Sequence, residues 1–324
     1  MGAEIRAAGR SLGRGLQEAW RGCLGESEGK ERMKTLCIYH GNCADGFTSA
    51  WVVRKALGED VDFHAGVYQD APPDVEGRDV VMVDFSYKRP VLEQMLEKCN
   101  SLLVLDHHKT AADELRFLPH PTHAFEYPLG SSTGDRAAVF DMDRSGARIT
   151  WDYFFPGQQP PKLLLHVEDR DLWRFALPQT REIQANVFSH PYEFDVWDRL
   201  MEADVETLAQ EGSAIERKHS KDIRELIGVV TRRMNIGGHN VPVANLPYTL
   251  TSDAGHLLAK GEAFAGCYWD TPAGRLFSLR STDDGLDVSE IAKQYGGGGH
   301  RNASGFRLSY AEATRLEIAN GTSD

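Results

Sequence analysis

Residues Leu36–Val53, LCIYHGNCADGFTSAWVV, decide the fold. Leu36–Tyr39 is a short apolar run, the signature of a strand covered on both faces. Phe47–Leu57 carries a helical pattern. Between them stand His40, Asn42, Cys43 and Asp45, polar or metal-binding side chains at the turn that leaves a buried strand. In open α/β sheets that turn, at the carboxyl end of a strand, is where ligands bind.

The alternation continues downstream. Asp79–Asp84 (DVVMVD) reads as a second buried strand, followed by a helix that starts near Pro90, a favoured first-turn residue. Ser101–Leu105 (SLLVL) reads as a third strand, and helices follow at Ala147–Phe154 and Lys162–Val167. Strand, helix and strand in succession predict a parallel, doubly wound α/β sheet. From 195 to 235 the spaced apolar residues, among them Val196, Leu200, Leu208, Ile215, Ile223 and Leu226, predict connector helices packed on one side. From 236 onward short strands at Val241–Asn245, Phe264–Trp269, Leu276–Arg280 and Ala303–Leu308, with helices at Ser252–Ala259 and Val288–Gln294, predict a second, smaller α/β domain. Residues 1–32 are rich in Gly, Arg and Glu without a sustained apolar face, and read as a disordered tail. Their arginines suit a transit peptide, but Glu4, Glu18, Glu26 and Glu28 argue against one.

The chain has 324 residues and a formal charge of −12. That charge disfavours a long nucleic-acid track, which needs Lys and Arg on phosphates. A small phosphate-bearing substrate stays compatible, because a divalent cation can supply local positive charge. No apolar run is long enough to span a membrane. Cys23, Cys37, Cys43, Cys99 and Cys267 are odd in number and form no CxxC pair, which fits a reducing cytoplasm.

Each predicted strand of the first domain ends in potential metal ligands. The first delivers His40, Cys43 and Asp45, the second Asp84, and the third Asp106, His107 and His108. A fourth cluster, HVEDRDLW, offers Glu168, Asp169 and Asp171. A lone Asp at a strand end is usually a turn or helix cap, and a lone Cys a small buried hydrophobe. Three successive strand ends bearing ligands are harder to explain by packing. Carboxylates and imidazoles together suit Mn²⁺ or Mg²⁺. Two such ions about 3.5–4 Å apart, bridged by one carboxylate, would generate a hydroxide near neutral pH for attack on phosphorus.

These residues resemble a known family. LDHH (Leu105–His108), preceded by HGNCADG and VDFS, is similar to the DHH phosphoesterase superfamily. GGGGHRNASGF (Gly296–Phe306), with FSLRS (Phe277–Ser281), resembles that superfamily's associated C-terminal domain. The resemblance runs from Met33 to about Leu308 and is nearest to the oligoribonuclease or cyclic-nucleotide phosphodiesterase branch. It implies a catalytic domain over 33–194, connector helices over 195–235 and a substrate-binding domain over 236–324. It implies two Mn²⁺ ions held by His40, Asp45, Asp84, His107 and Asp169, with Asp84 bridging. His108 would touch the phosphate or act as general acid, and Asp106 would orient a histidine. Arg280, His300 and the backbone of Gly297, Gly298 and Gly299 would hold the far end of the substrate.

One departure stands out. Cys43 occupies the place where many relatives carry a first aspartate. Either it ligates and shifts the preference toward Zn²⁺ or Fe²⁺, or it does not and the first site is weaker. The implied activity is hydrolysis of short oligonucleotides or cyclic nucleotides to mononucleotides. A nucleotide phosphatase or pyrophosphatase, a single-strand exonuclease and a catalytically weak nucleotide-binding module are the alternatives. The sequence leaves the oligomeric state open, a homodimer included.

Overall fold

The first sheet is built on strands whose side chains are buried on both sides. β3 (Asp79–Val83) and β4 (Ser101–Asp106) have no exposed residue. Successive strand residues point to opposite faces. Val80, Met82, Leu102 and Val104 therefore join one core with Leu92 and Met95, while Val81, Val83, Leu103 and Leu105 join another with Phe47, Trp51 and Ile149. A computed structural model of the chain describes residues 35–121 and 136–321. The sequence-predicted tail over 1–32 lies outside them.

The first sheet has the order β2-β1-β3-β4-β5, with β1 at Thr35–His40, β2 at Val61–Gly66 and β5 at Arg136–Phe140. All four pairings are parallel, so the carboxyl ends share one rim. The helices are α1 (Ala44–Leu57), α2 (Arg89–Leu96), α3 (Lys109–Glu114), α4 (Gly146–Phe154), α5 (Lys162–Asp171), α6 (Thr180–Val187), α7 (Phe194–Glu202) and α8 (Val205–Val230). Leu92, Met95 and Leu96 of α2 cover one face, and α1, α4 and α5 contribute to the core on the other. This is the doubly wound α/β sheet that the alternation predicts. The chain leaves β1 for β2 on one side, and β3 returns on the other, so the topological switch lies between β1 and β3.

The edge strands β2 and β5 and the helix α6 carry no clear signal in the sequence. β2, VDFHAG, buries only its first and last residues. The expected connector helices also end sooner than the sequence suggests. Thr231–Ile236 is strand β6, not helix, with Met234 and Ile236 reaching the core two residues apart. Two apolar residues at that spacing satisfy either a helix end or a strand, and pairing with β7 (His239–Asn245) decides for the strand.

The chain divides into two compact units, residues up to 107 with 111–212, and residues 108–110 with 213 onward. The second unit contains the mixed sheet β10-β11-β9-β8-β7-β6, with β8 at Ala265–Thr271, β9 at Gly274–Arg280, β10 at Gly298–Gly299 and β11 at Ala303–Leu308. One face packs on α10 (Val288–Lys293), the other on the end of α8 and on α9 (Thr251–Leu258). Among the described residues no helix is long and apolar enough to cross a membrane.

The turn that opens the quoted stretch leaves no room at Gly46, in the first turn of α1. A Cβ there would lie 2.2 Å from the His40 carbonyl oxygen and 2.7 Å from its Cβ. Gly46→Ala is expected to destabilise the protein by about 1–3 kcal/mol through overpacking. A thermal melt matching that of the unsubstituted protein would show that the turn is not held so tightly.

Candidate metal centre

The carboxyl ends of β1, β3 and β4 bring His40, Asp84 and His107 together. Asp84 follows β3 directly and is 1% exposed. Its φ is +53°, a left-handed conformation that Asp tolerates better than most residues. Its backbone N–H donates to the Leu105 carbonyl (2.9 Å), which ties the turn to β4. The two carboxylate oxygens face different imidazoles. Oδ1 lies 3.0 Å from His107 Nε2, and Oδ2 lies 3.4 Å from His40 Nδ1 without completing a hydrogen bond.

His107 is the hub. Besides Asp84, its Nε2 lies 3.4 Å from Asp171 Oδ2 and 4.0 Å from Asp45 Oδ2. Asp45, His107 and Asp171 each offer a ligand atom, all within 4.8 Å of one another. Asp45 reaches the rim from the first turn of α1 and accepts the Ala147 N–H at the start of α4 (3.2 Å to Oδ1). Unpaired N–H groups at a helix start favour a carboxylate. Gly146 makes that approach possible, since a Cβ there would meet Asp84 Cβ at 2.4 Å and Asp45 Oδ2 at 2.9 Å.

The structure brings Asp171 to His107 and gives Asp169 another task. Asp169 accepts hydrogen bonds from Ala176 N–H (2.8 Å), Leu177 N–H (3.1 Å) and the Thr180 hydroxyl (2.6 Å). Both of its oxygens hold the loop after α5. Residues two apart on a helix point about 200° away from each other, so only one can face the rim. The DRD spacing alone does not say which. Asp106, fully buried at the end of β4, accepts the His107 backbone N–H at 2.8 Å. His108 is buried at the head of the segment 108–110. Cys43 stands at the N-cap of α1, close enough to the carboxylates to feel them, but belongs to no group of ligand atoms within 4.8 Å among the described residues.

The electrostatics are those of a crowded anionic site. Burial, then Asp84 and Asp171, hold the Asp45 carboxyl well above its ordinary range. Burial works against charge on Asp84 as well, but the hydrogen bond with His107 and the close approach of His40 win and hold it well below that range. Burial also opposes charge on His107. Its hydrogen bond to Asp84 and the fields of Asp171, Asp84 and Asp45 nevertheless push it up to about 10. Burial and then Asp84, Asp171 and Asp45 raise the Cys43 thiol. The oxygen and nitrogen donors, and the buried Asp84 Oδ2, fit divalent cations, whose charge would relieve the repulsion.

No family model matches the sequence. The chain is 33% identical over 299 residues to the uncharacterized protein R106 of Acanthamoeba polyphaga mimivirus, covering 85% of this chain and 67% of that protein. Among solved structures it is similar to RecJ in complex with Mn²⁺ from Thermus thermophilus. That likeness has a TM-score of 0.50 at 15% identity, covering 96% of this chain and 55% of RecJ. It is also similar to the pGpG-specific phosphodiesterase PggH from Vibrio cholerae, with a TM-score of 0.45 at 16% identity over 88% of this chain and 97% of that one. At this identity the likeness to RecJ shows a shared α/β fold.

The second unit carries the other predicted residues. Arg280 ends β9, and its guanidinium donates to the Ser278 hydroxyl (2.9 Å), the Leu279 carbonyl (2.8 Å) and the Ser252 hydroxyl (3.3 Å). Gly255 on α9 gives it space, since a Cβ there would lie 2.8 Å from Arg280 Cγ. Gly297–Gly299 lead into His300, whose N–H donates to the Ala303 carbonyl (2.8 Å). Gly299 has φ +139°, open to glycine and to few other residues.

Two outcomes are expected. Asp171→Asn lowers divalent-cation affinity at least tenfold in calorimetric titration while leaving the melting temperature nearly unchanged, whereas Asp169→Asn lowers the melting temperature. The reverse pattern would return the ligand role to Asp169. In the cation-free site His107 holds a proton that a cation must displace, so binding weakens as pH falls. The rise in melting temperature produced by Mn²⁺ is therefore larger at pH 8 than at pH 6. A rise independent of pH would remove His107 from the ligand set.

Proposed function

We propose that the protein is a metal-dependent phosphodiesterase acting on short oligonucleotides or cyclic nucleotides. One observation carries this reading: three carboxylates, Asp45, Asp84 and Asp171, lie within 4.0 Å of a single imidazole nitrogen of His107. Such a cluster is costly unless cations share it. Bound divalent cations would supply Lewis acidity toward a phosphoryl group and an activated water as nucleophile. His40, Asp45, Asp84, His107 and Asp171 would hold them. Asp84 suits the shared position, because its oxygens face two different histidines.

Asp106 accepts the His107 N–H and would help hold the backbone from which the imidazole projects. His108 would meet the phosphate or protonate the leaving oxygen. Arg280, with its fork already oriented by two serines, His300 and the Gly297–Gly299 backbone would bind the substrate's phosphate or base end. In this reading 33–194 is the catalytic domain and 236–324 the substrate-binding domain. The net charge of −12 favours a small substrate over a long polymer. The Mn²⁺ in the RecJ structure supports Mn²⁺ as the first ion to try. Cys43 adds a soft donor nearby, which keeps Zn²⁺ and Fe²⁺ in the trial. Free thiols at Cys37, Cys43, Cys99 and Cys267 fit a reducing compartment such as the cytoplasm.

The test is hydrolysis of bis-p-nitrophenyl phosphate, then of cyclic mononucleotides and of dinucleotides through pentamers. Turnover with Mn²⁺ is expected to vanish in EDTA, and to fall at least 10³-fold in Asp84→Ala, with the fold retained by circular dichroism. Absence of turnover on all these diesters with Mn²⁺, Mg²⁺, Zn²⁺ and Fe²⁺ would overturn the reading.

A further inference from the structure

The rim of the first sheet carries a polar aromatic side chain that the reading above leaves unused. β2 lies beside β1 with Gly66 opposite His40, and the Gly41 N–H donates to the Gly66 carbonyl (2.9 Å). Past Gly66 the chain turns back. The Asp70 N–H donates to the Val67 carbonyl (3.2 Å), and Gln69 takes φ +71°. That turn brings Tyr68 over the end of β1. Its ring meets the His40 imidazole edge-on, with centroids 5.3 Å apart and planes at 63°. On another side it packs against Phe85, the residue after Asp84, at 4.8 Å. Gly66 leaves room for Phe85, since a Cβ there would lie 2.7 Å from that ring.

The ring position is therefore fixed by one metal-centre imidazole and by the neighbour of the central aspartate. Packing of that kind asks only for a phenyl group, and a phenyl would also suit a residue that is 40% exposed. The hydroxyl is extra chemistry, and it lies where the carboxylates of Asp106 and Asp84 and the thiol of Cys43 act on it. An ordinary phenol keeps its O–H at neutral pH and can donate it.

We propose that Tyr68 is a substrate-contacting residue of this centre, its hydroxyl donating a hydrogen bond to a non-bridging phosphoryl oxygen beside His40. The proposal rests on the phosphoester-hydrolase reading and deepens it. Negative charge grows on the phosphoryl oxygens as the ester bond breaks, so a preoriented donor acts more strongly in the transition state than in the ground state. Tyr68 thus adds a donor to a site whose other protein groups are mostly acceptors.

Tyr68→Phe separates the two roles, because it keeps the ring against His40 and Phe85 and removes only the oxygen. Its kcat on bis-p-nitrophenyl phosphate with Mn²⁺ is expected to fall about 10²-fold. Its affinity for inorganic phosphate, measured by calorimetry on Mn²⁺-loaded protein, is expected to fall about tenfold. Its Mn²⁺ affinity and melting temperature stay unchanged. A loss in either the kinetic or the phosphate readout, with Mn²⁺ affinity intact, supports the contact. Unsubstituted-protein values in both overturn it, and so does a loss of Mn²⁺ affinity, which would make Tyr68 a support for His40. If the unsubstituted protein binds phosphate but turns over no diester, the enzyme reading fails while phosphate affinity still judges Tyr68. If it does neither, both fall.

Discussion

The structure depends on three buried or half-buried acids converging on one imidazole. Parallel strands put their carboxyl ends on one rim, and the switch between β1 and β3 opens the sheet there. Asp84 and His107 stand at that opening, with Asp45 and Asp171 reaching in from the helices. Three negative charges at this separation cannot all be comfortable in a buried site. The fold resolves the conflict unequally. Asp84 has histidines on both oxygens and is held well below the ordinary carboxylate range, while Asp45, with a helix start and a more distant His107, is pushed above it. Titratable neighbours driven apart in this way mark a functional site. A cation would remove the inequality by giving every carboxylate a positive partner.

The supporting shell is specific to that arrangement. Asp84 takes a left-handed backbone, a conformation that costs of order 1–3 kcal/mol when held in place. It is kept there by the Leu105 carbonyl on one side and by the backbone at Gly146 on the other. Gly46 lets the first turn of α1 lie against His40. These close contacts explain why two aspartates and two histidines from separate segments meet at about 3–4 Å.

Much of this is legible in the sequence, for a physical reason. Strands buried on both faces read as unbroken apolar runs, so β1, β3 and β4 and the polar residues ending them stand out. Edge strands lack that signal. β2 exposes Asp62 and Ala65, and its VDFHAG reads as a loop. The weak signal of β2 also hides the turn after it, and with it Tyr68. β6 reads as the end of the connector, because Met234 and Ile236 fit a helix end as well as a strand until β7 pairs beside them. The choice between Asp169 and Asp171 depends on which side of α5 faces the rim. That is set by packing against other helices and not by local pattern.

Asp171 makes the last point. It closes α5, at the end of a helix where the backbone carbonyls leave partial negative charge. A carboxylate is disfavoured there by a few tenths of a kcal/mol or more, and a lysine or arginine would be preferred. Two residues earlier, Asp169 sits on the same helix and spends both oxygens on the N–H groups and hydroxyl of the following loop. That loop contains Trp173 at φ +56° and Phe175 at φ +48°, both unusual for aromatic residues, and Arg181 packs over the Phe175 ring at 3.7 Å. The first acid therefore builds a strained, braced turn. The second is held by that turn at an unfavourable helix end, 3.4 Å from a histidine that already faces two other acids. Helix electrostatics and carboxylate repulsion both oppose a carboxylate at position 171, and a divalent cation at the rim would offset both.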